Sequence, residues 1–249
     1  MPCRRAPSFI FRAINRGATK SMVSDLLNWT PCRPPERKAM VGRFVSLRPY
    51  EPAGKDGEAL WAAFGGPATN DLIRFFPNAP FADAGAFAAW LDHWNGQGDW
   101  ITYVFADKAS SACVGMASYM RIDPDNGSIE VGSVAHGPAM ARSAMATEAH
   151  YLMARHVFDE LGYRRYEWKC DSENAASRRA ADRLGFTHEG RFRQHMVNRG
   201  KNRDTDWYSM LDGEWPELKR AFEAWLEPGN FDRHGHQRHR LEDLRDMLA

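Results

Sequence analysis

The sequence predicts a mixed α/β fold of the α+β kind, and three observations carry that expectation. Short runs rich in β-branched and aromatic residues occur at Ile101 to Ala106, Val114 to Arg121 and Ser128 to Ala135. Two longer stretches, Phe81 to Trp94 and Ser143 to Leu161, place apolar residues at helical spacing instead. The segment from Gly162 to Phe186 then packs a strand, a polar turn, a short helix and a stop into consecutive chain.

Taken in order, Val45 and Leu47, flanked by Arg43 and Arg48, give a first strand that ends at Pro49. Asp56 to Phe64 shows helical spacing through Leu60, Trp61 and Phe64, and Phe81 to Trp94 repeats it with Phe87, Trp90, Leu91 and Trp94 on one face. The strands at 101–106 and 114–121 are joined by a polar hairpin around Asp107 to Ser111. Asp123-Pro124-Asp125-Asn126-Gly127 is a turn leading into Ser128 to Ala135. The helix from Ser143 buries Ala149, Leu152, Met153, Val157 and Leu161. Tyr166 to Cys170 is a strand and Asp171 to Asn174 a turn; Ala175 to Leu184 is a helix with Gly185 at its C′ position. Phe192 to Val197 and Thr205 to Leu211 form a closing hairpin around Asn198 to Asn202.

The totals narrow the function classes. At 249 residues the chain can bury a full core with tails to spare. A formal net charge of +1 gives no global case for nucleic acid or an acidic membrane surface. Cys3, Cys32, Cys113 and Cys170 show neither a CxxC pair nor ligand spacing with His, so a reduced, cytoplasmic setting without structural disulfides or a metal is expected. No apolar run approaches the ~20 residues that span a bilayer. Residues 1–24 are basic and hold no acid before Asp25; an organellar transit peptide, a start at Met22 and a plain tail all suit that composition. We expect residues 1–41, including the Pro-rich 31–38, to be a disordered extension, 42–212 the functional domain, and 213–249 a helical segment with a solvated basic, His-rich tail.

The order β-α-α-β-β-β-α-β-α-β-β resembles the Gcn5-related N-acetyltransferase (GNAT) fold from Gly42 to Asp212. Ile129-Glu130-Val131-Gly132, Ala146-Thr147-Glu148-Ala149 and Asn174 with Gly185-Phe186 follow in the family's order, most like the Rim-type ribosomal-protein N-terminal acetyltransferases. The resemblance implies a central mixed, mostly antiparallel sheet with a splayed strand pair, helices on both faces, and acetyl-CoA as co-substrate. It also implies a pyrophosphate held at the start of the long helix, where unpaired N–H groups and the dipole favour an anion. The family's Gln/Arg-x-x-Gly-x-Gly/Ala pattern falls on Ala141 to Ala146 and is kept only at Ala146; Ala144 replaces the central glycine. Ser143 as a cap and Arg142 as a phosphate partner would compensate, or be an ordinary N-cap and surface arginine.

Asn174 is the expected pantetheine contact, alternatively only an Asx-turn residue; Ser177 and Arg178 follow on the same helix, with a solvated basic face equally open for Arg178. Glu130 is the candidate base, alternatively a backbone anchor or the partner of an arginine, with His136, His195 and Glu167 behind it. Backbone N–H groups of Val134 and Ala135 would hold the oxyanion. The family's tyrosine acid falls on Ala181, so the acid is open between Tyr208, Ser177 and water. The leading expectation is an acetyl-CoA-dependent N-acetyltransferase acting by direct transfer to a small-molecule or peptide amine. The alternative is a non-catalytic acyl-CoA-binding or interaction protein on the same scaffold. Neither nucleic acid nor membrane is expected as a partner, and the chain would be a monomer or homodimer. Trp61, Phe64, Phe75, Trp90 and Trp94 would line an acceptor groove or simply be core.

Overall fold

The computed structural model describes residues 26–78 and 80–248. Contacts divide the chain into Met1–Thr30 and Pro31–Ala249, and the fold described is that of the second unit. The reading of residues 1–24 therefore lies outside the described residues.

Eight strands form one sheet in the order β1-β2-β3-β4-β5-β6-β8-β7. They are β1 (Met40–Val41), β2 (Val45–Pro49), β3 (Trp100–Asp107), β4 (Cys113–Asp123), β5 (Ser128–His136), β6 (Arg165–Asp171), β7 (Thr187–Asn198) and β8 (Lys201–Leu211). Every pairing is antiparallel except β5 with β6. The helices are α1 (Asp56–Ala63), α2 (Thr69–Leu72), α3 (Ala84–Asn95), α4 (Ala144–Arg155), α5 (Ala175–Leu184), α6 (Trp215–Leu226) and α7 (Leu241–Leu248). α1 and α3 pack on one face through Leu60, Phe64, Phe87 and Leu91 against Val104, Met116 and Ala135. The opposite face carries the larger core, where α4, α5 and α6 meet Tyr119, Ile129, Val131, Tyr166 and Trp168. Coverage on both faces gives near-continuous burial along β3 and β4, whereas β6, whose Tyr166, Trp168 and Cys170 face the larger core alone, alternates cleanly.

Several expected boundaries move outward for a local reason. The closing hairpin lengthens to 187–198 and 201–211 because its outer strand β7 is exposed and polar, without the apolar pattern that marks a strand in sequence. The long helix stops at Arg155 and passes into a π-helical turn, His156–Glu160, so its last turn is wider than the periodicity implies. Most of the early aromatics are core: Trp61 and Phe64 are buried and Trp90 packs against Phe87, while Trp94 is partly exposed.

Two domain expectations need correction. Residues 31–41 are ordered: Cys32 N–H donates to Pro124 O, Arg37 donates to Asn95 O at 2.7 Å, Lys38 pairs with Glu160, and Met40 is buried. The segment after Asp212 is part of the same core, because Trp215, Phe222, Trp225 and Leu241 are buried in the α4–α5 cluster. Arg233 to Arg240 keeps the exposed character expected of the tail.

One buried carboxylate fixes the site-bearing helix. Glu148 of α4 accepts from the backbone N–H groups of Arg43 (2.8 Å), Phe44 (2.6 Å) and Val45 (2.9 Å) in the β1–β2 turn. Gly42 lies so close that a Cβ there would meet the carboxyl at 2.4 Å. The Thr-Glu-Ala signature at the helix start thus holds α4 against the sheet.

Candidate active site at a splayed strand pair

β5 and β6 pair only from Ser128/Arg165 to Val131/Trp168. Beyond that rung β5 continues to His136 along β4, while β6 continues to Asp171 along β8. The sheet therefore opens into a wedge whose two edges carry released backbone groups. A bulge sharpens it: three residues of β4, Met116 to Ser118, span four of β5, Gly132 to Ala135, with Ser133 at φ 48°. The extra residue also turns His136 to the α4 side, reversing the alternation set by Glu130.

The N-terminus of α4 is open to an anion. Ser143 occupies the N-cap, yet its hydroxyl donates to Met140 O at 2.7 Å and no side chain caps the helix. No acid occupies the first turn, so the N–H groups of Ala144, Met145 and Ala146 keep their positive end unneutralised. The left-handed residue of the loop is Arg142, at φ 58°. Ala144, which stands where the family has its central glycine, is the first helical residue, and the left-handed position of the loop falls two residues earlier, on Arg142.

Asn174 caps α5, its Oδ1 accepting from Ser177 N at 3.1 Å, directly after the end of β6. The Ser177 hydroxyl accepts from Trp168 Nε1 at 2.9 Å. Arg178 is turned toward the buried Asp206, 3.3 Å away. On this same side His136 Nε2 stands 3.2 Å from His150 Nε2, and His150 packs on Trp168 with ring centroids 5.4 Å apart. Burial pushes His136 down to about 4 and holds His150 well below the usual histidine range, so both rings are neutral at neutral pH. His150 Nδ1 is buried with no partner among the described residues. Tyr208 lies across from Trp168 on β8, also facing the helices, and burial raises its phenol.

Glu130 is on the other face. It is buried, and its Oε2 accepts from Arg121 (2.7 Å) and Lys169 (2.8 Å). Lys169 bridges onward to Glu167 at 2.8 Å, Glu167 to Arg165 at 2.6 Å, and Arg165 to Glu189. Burial alone would raise the Glu167 carboxyl, but its hydrogen bonds from Lys169 and Arg165 outweigh that and lower it. His195, on β7, is tied to Thr205 Oγ1 of β8 at 2.9 Å. Glu130 thus lies on the opposite face of the sheet from His136 and Tyr208.

The sequence profile of the acetyltransferase (GNAT) domain matches residues 45–187, more than half of the chain. This chain belongs to the GNAT family. It is an N-acetyltransferase, and it is similar over 88% of its length and 99% of the other chain to a GCN5-related N-acetyltransferase from Brucella melitensis, at 49% identity and a TM-score of 0.84. A probable acetyltransferase of the GNAT family from Chromobacterium violaceum is 38% identical over 86% of this chain and all of the other, with a TM-score of 0.70. Ribosomal-protein-S5-alanine acetyltransferase from Vibrio fischeri shares the fold over 72% of this chain and 98% of its own, at 16% identity and a TM-score of 0.58.

The residues present fit the acetyl-CoA that GNAT proteins use. The wedge offers released strand backbone to an amide-rich arm, and the uncapped α4 terminus offers N–H groups to a phosphate. Among the described residues, no group of three or more His, Cys, Asp or Glu stands close enough to hold a metal ion, and no helix is long and apolar enough to cross a membrane. Sequence reasoning missed His150 and Lys169. His150 hides within an ordinary helical stripe. Lys169 had a visible signal, since Glu167 and Lys169 alternate with Tyr166, Trp168 and Cys170 and mark a two-faced strand.

Proposed function

We propose that this GNAT protein transfers acetyl from acetyl-CoA directly to a primary amine, at a peptide N-terminus or on a small molecule, within a ternary complex. The observation that carries the reading is the parallel β5–β6 pair that stops at Val131/Trp168 and opens toward the bare N-terminus of α4. Acetyl-CoA supplies the activated thioester when bound. The α4 N–H groups from Ala144 to Ala146, with Arg142, would receive its phosphates, and the Asn174 Nδ2 amide would meet the pantetheine while Oδ1 stays with Ser177. Val134 and Ala135, beside the bulge, are the strand positions whose N–H groups would stabilise the developing oxyanion.

Glu130 remains the base we assign. Lys169 and Arg121 occupy its Oε2, leaving Oε1, beside Gly132, as the atom that would accept the acceptor's proton. Any side chain at Gly132 would crowd both Met120 Sδ and that oxygen. The His136–His150 pair lines the helix side of the wedge but is held neutral by burial, so it carries no imidazolium to protonate the departing thiolate. That proton would come from the nitrogen of the collapsing intermediate, directly or through water, since Tyr208 is packed in the core and the Ser177 hydroxyl is engaged by Trp168. Positioning supplies the larger part of the acceleration.

Acetyl-CoA should raise the melting temperature with increasing concentration, as any ligand of the folded state does. Thiol release on adding an amine panel then separates catalysis from mere binding. A protein that is stabilised yet releases no thiol with any amine would be the non-catalytic acyl-CoA binder instead.

A further inference from the structure

Two shielded carboxylates stand side by side in the sheet. Glu130 and Glu167 are direct partners in the parallel β5–β6 register, and their side chains are 4% and 14% exposed. Like charges hidden from water oppose each other's ionisation, and such pairs tend to share one proton. A Glu130 that already holds a proton cannot take one from an acceptor. The pair therefore needs a cation between its members, and β6 supplies it two residues after Glu167.

Lys169 Nζ stands 2.8 Å from Glu130 Oε2 and 2.8 Å from Glu167 Oε2. Its remaining side rests on the Trp207 ring, 3.8 Å from the centroid, and Phe192 stacks on that ring at 4.6 Å. An ammonium has three N–H donors, and two oxygens and a ring face take them up. The Lys169 side chain is 9% exposed, which leaves nothing of it for a substrate to touch.

The other charged groups on this face do less for the pair. Arg121 of β4 reaches Glu130 Oε2 at 2.7 Å, but its side chain is 55% exposed and water screens it. Arg165 of β6 binds Glu167 at 2.6 Å and is shared with Glu189 of β7. Asp171, further along β6, accepts from the Glu173 N–H. His195 of β7 lies 6.1 Å from the Trp207 ring and is bound to Thr205, while Arg203 of β8 donates to Phe75 O. Among the described residues, Lys169 is the one cation that touches both carboxylates.

Resting on the acetyl-transfer reading with Glu130 as base, we propose that Lys169 is a positioning residue of the reaction. By bridging Glu130 and Glu167 against the Trp207 ring, it keeps both carboxylates charged together and leaves Glu130 Oε1 bare for the acceptor's proton. The acceptor nitrogen gives up that proton and keeps the electron pair with which it attacks the thioester carbonyl carbon.

The test removes the bridge and then the need for it. With the amine of the panel that releases thiol fastest, kcat/KM of each variant is divided by the wild-type value at the same pH, which cancels the acceptor's own ionisation. For Lys169→Met this ratio should fall by about 10- to 1,000-fold as pH drops from the alkaline side, while the acetyl-CoA KM holds. Combining Lys169→Met with Glu167→Gln deletes the opposing carboxylate and should flatten the ratio again. Lys169→Arg keeps the charge and should show little slope, and Arg121→Gln less than Lys169→Met. A loss equal at every pH, or a slope that the double variant keeps, would make Lys169 structural and overturn the proposal. If Glu130→Gln keeps full turnover, or no amine is acetylated, the underlying reading fails, and the Glu130 carboxyl titration followed by carbon NMR decides the bridge by itself. A midpoint raised in Lys169→Met and restored in the double variant would uphold the hold of Lys169 on the pair; an unmoved midpoint would overturn that too.

Discussion

At the scale of single residues, the chemistry turns on how buried charges are partnered. Glu130 was legible as a polar residue between Ile129 and Val131, but its two cationic partners come from strands on either side and no local pattern announces them. Glu130→Gln should lower turnover by about 10²–10⁴-fold with acetyl-CoA affinity little changed. Lys169 keeps Glu167 as a partner, so the fold should survive. Full turnover with a lowered melting temperature would make Glu130 an anchor only. The histidine pair gives a pH signature. Folded, His136 stays neutral down to about 4, whereas unfolded it protonates near its ordinary 6.5. Between those values the unfolded state binds more protons, so stability is complete above about 6.5 and falls as pH drops toward 4. Burial acts on His150 in the same direction. Urea midpoints at about pH 7.5 and about pH 5 should therefore differ, and His136→Gln should flatten the difference. An equal slope in that variant would count against the assignment.

At the scale of elements, the β6-turn-α5 unit carries most of what was readable. Its residues form strand, cap and stop by local rules: Asn174 caps, Gly185 ends the helix at φ 96°, and only ten helical residues separate them. Asn174 has two separable duties. Asn174→Ala should cost about 1 kcal/mol of stability through the lost cap and also weaken acetyl-CoA about 5- to 150-fold. Asn174→Asp keeps an acceptor for Ser177 N–H but loses the Nδ2 donor, so it should hold stability while still weakening the ligand. Calorimetric titration and thermal melts on both variants separate the two; wild-type affinity in both would mean the residue only caps. The phosphate loop was less readable. Its glycine pattern is absent, yet Arg142 adopts the left-handed conformation all the same, because the turn from Gly137 to Ser143 is fixed by hydrogen bonds at both ends.

At the scale of the whole molecule, the domain extends beyond the family's minimal boundaries at both ends. Trp215 stacks on Phe158, donates to Asp159 at 2.7 Å and shares its core with Phe222 and Trp225. Truncation after Asp212 should therefore expose the α4–α5 core and give an aggregating product, measured as loss of the soluble peak on size exclusion. A soluble, acetyl-CoA-binding 1–212 fragment would show that α6 and α7 are dispensable. The preceding 31–38 strap is held by Lys38 to Glu160 and Arg33 to Glu160 O on the π-helical turn, contacts over more than a hundred residues of sequence. Its prolines and charges read as linker because a packed strap and a free one have the same composition.

The sequence by itself determined the element types and their order, since helical spacing, strand runs, caps and turns are local properties written within each segment. It also determined the acetyltransferase family, through the Ile-Glu-Val-Gly, Ala-Thr-Glu-Ala and Asn…Gly-Phe segments in fixed order. Only the tertiary structure decided the rest. The β5–β6 wedge exists because pairing ceases after Val131/Trp168, and register is a property of two strands together. The single extra residue at Ser133 sends His136 to one face and leaves Glu130 on the other, an inversion no alternation in the sequence records. Lys169 could have been a solvated strand lysine; Glu130 and Trp207, both distant in sequence, join Glu167 of its own strand around its ammonium because burial leaves a charge no water to face.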